Sequence, residues 1–251
     1  MKCSIHQFKN IILSKVIFKG DSVLKKRLAV LVVLFIICAV IYVADVGISP
    51  NVAVVSHISP EKTVIIDAGH GGEDGGAVAA DGTVEKDINL KIALQTAKFL
   101  KLYGFKVIMT RETDTNTCNG DSFIKREDLE NRLNLMKQNP ESVFVSIHLN
   151  KFTTSAAKGS QVFYSNGDAA KALGEIIQKS IIKNLQNENK RVNKQATSST
   201  YLLYNATVPA VLVECGFLSN QAELLRLKDS AYQQKLAFCI TDGILQYFKE
   251  S

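Results

Sequence analysis

Four residues spread along the chain have the types that metal-assisted proton chemistry needs: His70, Glu85, His148 and Glu214. Two imidazoles and one carboxylate are a ligand set used by catalytic zinc, with a fourth position left for water. Bound zinc lowers the pKa of that water to about 7, which makes hydroxide available at neutral pH. A further carboxylate close by can accept the water's proton and pass it to a leaving amine. Glu214 is the candidate, because it follows Ala210-Val-Leu-Val213 directly and a charge there is out of place in a core strand unless it faces a site. Each residue alone also has a structural use. A histidine at a strand end can simply hydrogen-bond its surroundings, and a glutamate opening a helix favours the helix dipole. No H-E-x-x-H string occurs, so spacing alone leaves both uses open.

The elements that must position these groups alternate in type. Val64-Ile65-Ile66 reads as a buried strand that stops at Asp67-Ala68-Gly69-His70-Gly71-Gly72. Glycine lets backbone turn sharply or approach a ligand closely, so His70 stands on a permissive loop at a strand's carboxyl end, the edge where open α/β sheets bind ligands. Periodicity predicts helices over 85–103, 123–138, 168–186, 220–227 and 231–248. It predicts strands over 105–110, 142–147, 159–165 and 211–213, with a further short strand at 201–204. Strands separated by helices argue for a mostly parallel sheet covered on both faces. His148 then follows the third strand, and Glu85 returns to the same edge at the start of its helix. Asp67 reads either as a partner orienting His70 or as an Asx turn. Asn150 reads as a substrate contact or a turn cap on the same rim, and Arg126 and Arg132 read as solvated helix residues.

Charge and cysteine content exclude other classes. The formal net charge is +6. Residues 1–27 hold Lys2, Lys9, Lys15, Lys19, Lys25, Lys26 and Arg27 against Asp21, and the rest of the chain balances basic and acidic side chains one for one. The basic character belongs to a tail and not to a nucleic-acid face. Five cysteines without a C-x-x-C pair form neither a disulfide framework nor a zinc ribbon. No G-K-[ST] follows the Gly69–Gly76 loop, which removes the phosphate-loop reading.

Leu28 to Ala44 runs seventeen residues without a charge, directly after Lys25-Lys26-Arg27. The length and the flanking charges predict a signal-anchor spanning a membrane once, with residues 1–27 as a cytoplasmic basic tail. A cleaved signal peptide is the competing reading. Residues 45–61, which include His57, read as a linker, and 62–251 as one α/β domain on the extracytoplasmic side.

The strings TVIIDAGHGGEDGGA, VEKDINL, VFVSIHLN and VPAVLVECGFLSN, in that order, resemble the zinc-dependent N-acetylmuramoyl-L-alanine amidases of the amidase-3 type. The resemblance spans about 62–248. It implies a twisted six-stranded sheet, zinc held by His70, Glu85 and His148, and Glu214 as the catalytic carboxylate. The implied substrate is peptidoglycan, cut between the lactyl group of N-acetylmuramic acid and L-alanine. Some division amidases of this family carry an inhibitory helix after the residue matching His148; only about ten residues lie there in this chain, so that control is not expected. A bare domain on one anchor most resembles the germination-specific amidases of spore-forming bacteria. That narrower likeness implies work with a peptidoglycan deacetylase, or an activating protein, to make muramic δ-lactam in spore cortex. A general vegetative wall amidase, another zinc peptidase acting on stem peptides and a non-catalytic wall-binding protein are the alternatives.

Overall fold

The β-branched run Val64-Ile65-Ile66 forms the middle of β1 (Thr63–Ala68), the second strand of a six-stranded sheet. The computed structural model describes residues 26–27, 30–36, 62–120 and 122–251. After β1 come α1 (Glu85–Leu102), β2 (Lys106–Met109), α2 (Lys125–Gln138), β3 (Ser142–Asn150) and β4 (Gln161–Tyr164). The chain ends with α3 (Asp168–Asn184), β5 (Lys194–Gln195), α4 (Tyr201–Tyr204), β6 (Ala210–Phe217), α5 (Gln221–Lys228) and α6 (Ser230–Glu250). The strand order is β2-β1-β3-β6-β4-β5. β2, β1, β3 and β6 are mutually parallel, and β4 joins β6 antiparallel.

Both faces of the sheet are covered, as continuous apolar runs such as Val143–Val145 require. On one face, Val64, Ile66, Val143, Val145, Ile147, Val211 and Val213 pack under α1, α3 and α6 through Ile88, Ile92, Leu173, Ile177, Ile240 and Ile244. Those helix residues recur in pairs four apart, which puts each pair on one stripe of its helix. On the other face, Ile65, Phe144 and Ala210 pack under α2 and α4 through Leu133, Met136, Leu202 and Leu203. α5 and α6 begin with side-chain caps, Asn220 accepting from Glu223 N and Asp229 from Tyr232 N.

Several sequence-based expectations shift. The segment 201–204 is a helical turn and not a strand: Leu202 and Leu203 are both buried in one cluster, and a strand would send adjacent side chains to opposite faces. β5 carries no apolar signal because both its residues are exposed; main-chain pairing to Phe163 and Tyr164 alone defines it. β3 and β6 run further than expected, so His148 and Glu214 sit inside strands and not just beyond them. The ten residues between β3 and β4 hold no helix, as expected.

The expected tail 1–27, apolar run 28–44 and linker 45–61, with His57, lie for the most part outside the described residues. The described part of the apolar run, 30–36, is helical with exposed side chains. Among the described residues no helix is long and apolar enough to cross a membrane.

Candidate functional site

The face beneath α2 and α4 turns from apolar to polar as the strands approach their carboxyl ends. Along β1 it presents Ile65 and then Asp67; along β3, Phe144, Ser146 and His148; along β6, Ala210, Leu212 and Glu214. His148 and Glu214 are direct partners across the β3–β6 ladder, so their side chains project to the same side. Two of the four candidates are thus delivered by strand register alone.

His70 comes from the loop after β1 and sits at φ 63°, the left-handed region that a non-glycine residue rarely adopts. Its main-chain oxygen accepts from Arg132 NH2 at 3.0 Å, and Gly71 and Asp74 bridge each other through N–H···O bonds of 2.9 and 3.2 Å. These bonds hold the unusual backbone, and the imidazole swings back toward α1. Its Nε2 lies 3.3 Å from Glu85 Oε1, and its Nδ1 lies 2.9 Å from Asp74 Oδ2. His148 Nδ1 lies 3.0 Å from the same Glu85 oxygen. One ligand atom from each of His70, Glu85 and His148 falls within 4.8 Å of the others, and the two rings meet edge to face with centroids 4.9 Å apart.

Glu85 is fixed before any ligand arrives. Its Oε2 accepts from Ala77 N at 2.8 Å, and its Oε1 accepts from Leu149 N and Asn89 Nδ2 at 3.1 Å each. Burial opposes its charge, but the two histidines outweigh that and hold its carboxyl well below the usual range. Burial likewise pulls the His70 pKa down, while Glu85 and Asp74 together raise it above its ordinary value. Gly69 serves the approach: a Cβ there would stand 2.3 Å from His148 Nε2, so only glycine lets the ring lie across the loop.

Glu214 differs from the other acid. Its Oε2 is buried without a hydrogen-bond partner among the described residues, and burial pushes its carboxyl up to about 7, with Glu85 adding to the rise and the two histidines opposing it. Two carboxylates on one site thus have opposite environments. Glu85 is held anionic, which would suit a metal ligand, and the Glu214 carboxyl is raised by burial, which would suit a proton carrier.

The expected roles of Asp67 and Arg132 are both overturned. Asp67 is completely buried and accepts from Arg132, Ser146 and Thr110; it neither touches His70 nor makes an Asx turn. Arg132 is only 2% exposed and not solvated, because its guanidinium reaches Asp67, Asp128 and the carbonyl oxygens of Ala68 and His70. Arg126 is exposed as expected, paired to Glu130 and stacked 4.8 Å from the Tyr201 ring. Asn150 closes β3 opposite Phe217, its carbonyl accepting from Leu218 N at 2.8 Å. The sequence reading passed over Asp74 and Asn89. Asn89 stands one helical turn after Glu85 on the buried side of α1, and Asp74 is the next acid but one after His70; both spacings were available as signals.

A cleft of about 60 Å³ opens at this point, lined by His70, Asp74, Lys125, Leu129, His148 and Leu202 among others. A larger cleft of about 670 Å³ lies near 156–159, 185–191 and α5, and none of the four candidate residues lines it.

Comparison with known proteins bears on this arrangement. The amidase-3 family model, described as N-acetylmuramoyl-L-alanine amidase, matches residues 64–246. The chain is 38% identical over 194 residues to the germination-specific N-acetylmuramoyl-L-alanine amidase of Bacillus subtilis (strain 168), covering 75% of this chain and 81% of that protein. A solved structure of the CwlD amidase from Clostridioides difficile in complex with the GerS lipoprotein matches with a TM-score of 0.72 and 40% identity, over 76% of this chain and 100% of that one. The N-acetylmuramoyl-L-alanine amidase AmiC2 of Nostoc punctiforme matches with a TM-score of 0.66 and 31% identity, over 75% of this chain and 98% of that one.

Proposed function

The chain belongs to the N-acetylmuramoyl-L-alanine amidase family, and we propose that it cuts peptidoglycan between the lactyl group of N-acetylmuramic acid and L-alanine, with zinc held by His70, Glu85 and His148 and with Glu214 as the proton carrier. The observation that carries this reading is the convergence of His70 Nε2, Glu85 Oε1 and His148 Nδ1 beside an unpartnered Glu214 Oε2.

The donor set fits such an ion. Asp74 engages His70 Nδ1, which fixes the ring's tautomer and leaves Nε2 as a lone-pair donor. Glu85 is locked by three main-chain and amide donors with one oxygen between the rings. Two nitrogens and one oxygen leave a position open, the mark of a catalytic and not a structural site. Bound there, zinc would polarise the scissile carbonyl and lower the pKa of water to about 7. Glu214 Oε2 takes the proton from the attacking water, since none of the described residues competes for that oxygen. The same oxygen then gives the proton to the departing L-alanine nitrogen. His70 and Glu85 stay in place through Asp74 and through Ala77 N, Leu149 N and Asn89, and His148 through its position in β3.

We also propose a role in spore cortex, where release of the stem peptide and deacetylation together make muramic δ-lactam. Similarity to a germination-specific amidase supports it. The GerS complex of the similar CwlD amidase supports a partner protein for this chain. The proposed chain layout has a cytoplasmic tail (1–27), a signal-anchor (28–44), a linker (45–61) and an extracytoplasmic catalytic domain (62–251), which sets the site on the substrate's side of the membrane.

The test uses the purified protein in zinc-loaded, chelator-stripped and reloaded form on vegetative and cortex peptidoglycan, with products read by mass spectrometry. Intact stem peptides with a free L-alanine amine should appear with zinc, vanish with chelator and return on reloading. Release untouched by chelation would remove the zinc assignment. Unaided cutting of vegetative wall, with normal cortex in a deletion strain, would remove the spore role.

A further inference from the structure

We infer that Arg111 is a positioning residue for the metal centre, binding the loop that carries His70 and the helix start that carries Glu85 into one frame. The inference rests on the metal reading above. Arg111 is 4% exposed, and each of its hydrogen bonds ends on a main-chain carbonyl. Nε donates to Ala68 O at 2.9 Å, NH2 to Gly69 O at 3.1 Å and to Lys86 O at 2.9 Å, and NH1 to Thr113 O at 3.0 Å. Gly69 directly precedes His70, and Lys86 directly follows Glu85. A single NH2 nitrogen therefore touches the neighbours of two ligands from different elements.

The surroundings make little sense for an arginine except as a clamp. Burial and the nearby Arg132 guanidinium depress its pKa, and Asp67, Asp114 and Asp87 offset this only in part, so the net effect of the position opposes the charge it holds. The loop closes directly over the side chain. A Cβ on Gly71, at φ 136°, would stand 2.7 Å from Arg111 Cδ and Nε and 2.2 Å from Thr115 O. Only glycine lets the turn pass so close to the guanidinium. Arg132 shares the Ala68 carbonyl with Arg111 and also holds that of His70, and Lys86 holds that of Gly72. They differ in kind, because Arg132 also neutralises Asp67 and Asp128 and Lys86 pairs with Asp114. Removing either breaks an ion pair. Removing Arg111 changes the spacing of two ligand-bearing segments, and lysine cannot replace its planar fork with one ammonium.

The expected consequence is a loss of zinc affinity of about 10- to 100-fold, the range seen when groups that orient metal ligands are removed. The measurement is zinc dissociation by competition with a chromophoric chelator, on the wild-type chain, Arg111→Lys and Arg111→Met, together with each protein's metal-free melting temperature and the absorption spectrum of its cobalt form. Leu236→Ala, which trims the core on the opposite face, is the control that lowers melting temperature without touching the site. Both Arg111 variants should bind zinc more weakly than Leu236→Ala at equal or higher melting temperature, with an altered cobalt spectrum. Should Arg111→Met fail to fold, Arg111→Lys keeps the charge and volume and gives the same reading. Wild-type affinity in Arg111→Lys, or an affinity loss that Leu236→Ala reproduces at the same melting temperature, would overturn the inference. Absence of zinc binding by the wild-type chain would sink the metal centre itself, and this inference with it.

Discussion

On the face under α1, α3 and α6, β3 presents Val143, Val145, Ile147 and Leu149 and stays apolar to its end; on the face under α2 and α4, the same strand presents Phe144, Ser146 and His148. β1 and β6 repeat the division, with Ile66 and Ala68 against Asp67 and with Val213 and Cys215 against Glu214. One face is closed by long helices along its whole length. The other is closed only near its start, by α2 and the single turn of α4. Past its apolar contacts lies a buried ion-pair layer in which Arg132 of α2 meets Asp67, and then the open site, bordered by Leu129 of α2 and Leu202 of α4. Period-two alternation thus lets the same backbone serve packing on one side and chemistry on the other. The difference teaches that polar groups on the second face are not uniform. Asp67 is fully satisfied and should act on stability, whereas Glu214 Oε2 is unsatisfied and should act on rate.

The strongest way to break that contrast is Glu214→Gln. Losing a proton carrier should lower kcat by about 10²–10⁴-fold, equivalent to roughly 3–5 kcal/mol of barrier. The melting temperature should stay within a few degrees, because the lost carboxyl oxygen bonds nothing. Steady-state kinetics and a thermal melt on the same preparation read both. Retained activity within tenfold would mean that another group carries the proton. A collapse in melting temperature would mean that Glu214 belongs with the structural layer.

Asp67→Asn should show the converse. It removes one of the two carboxylates that Arg132 meets and leaves Asp128, so the loss is that of a buried charge-assisted hydrogen bond, about 1.5–3 kcal/mol. Chemical denaturation should report that loss, with a smaller fall in activity arising from the loop that Arg132 also holds through His70 O. The pH dependence gives an independent check. Burial would raise the Asp67 pKa, but Arg132, Ser146, His148 and Thr110 outweigh it and lower the folded value. Its contribution to stability is therefore complete above the unfolded carboxylate value of about 3.9 and is lost as pH falls through the lower folded value. Wild type should lose stability across that acid window more steeply than Asp67→Asn. Parallel curves would show that the pair is not what acid breaks.

The sequence made the dry face legible and only part of the polar one. Val64-Ile65-Ile66 and the Ile88–Ile92 stripe declare themselves, because burial there depends on local periodicity. His148 and Glu214 were legible as misfits ending apolar runs, His70 as an imidazole in a glycine loop after a strand, and Glu85 as the acid opening a helix that returns to that edge. Arg132 was not, because the partner that makes its burial tolerable is Asp67, which lies 65 positions earlier and meets it only in the folded sheet. Arg111 was hidden in a polar loop for a similar reason: its acceptors are carbonyls, which no side-chain pattern reveals. The antiparallel entry of β4 did leave a trace. Only ten residues separate β3 from β4, and a parallel return needs a crossover of a dozen or more.

The smallest expected effect sharpens the comparison from the dry side. Ile177 is fully buried on α3 and faces α6 at its closest approach, where a Cβ on Gly243 would stand 2.7 Å from Ile177 Cα. Ile177→Val removes one methylene from a contact that cannot slide closer to fill the gap. The loss should be about 0.5–1.5 kcal/mol, or a fall of roughly 2–4 °C in melting temperature per kcal/mol for a domain of this size. The rate per folded molecule and the zinc affinity should not change, since the sheet stands between this contact and the site. A change in kcat beyond about twofold at a temperature where the variant is fully folded would show that strain crosses the sheet. The division between a packing face and a chemical face would then describe composition alone, and not the energetics.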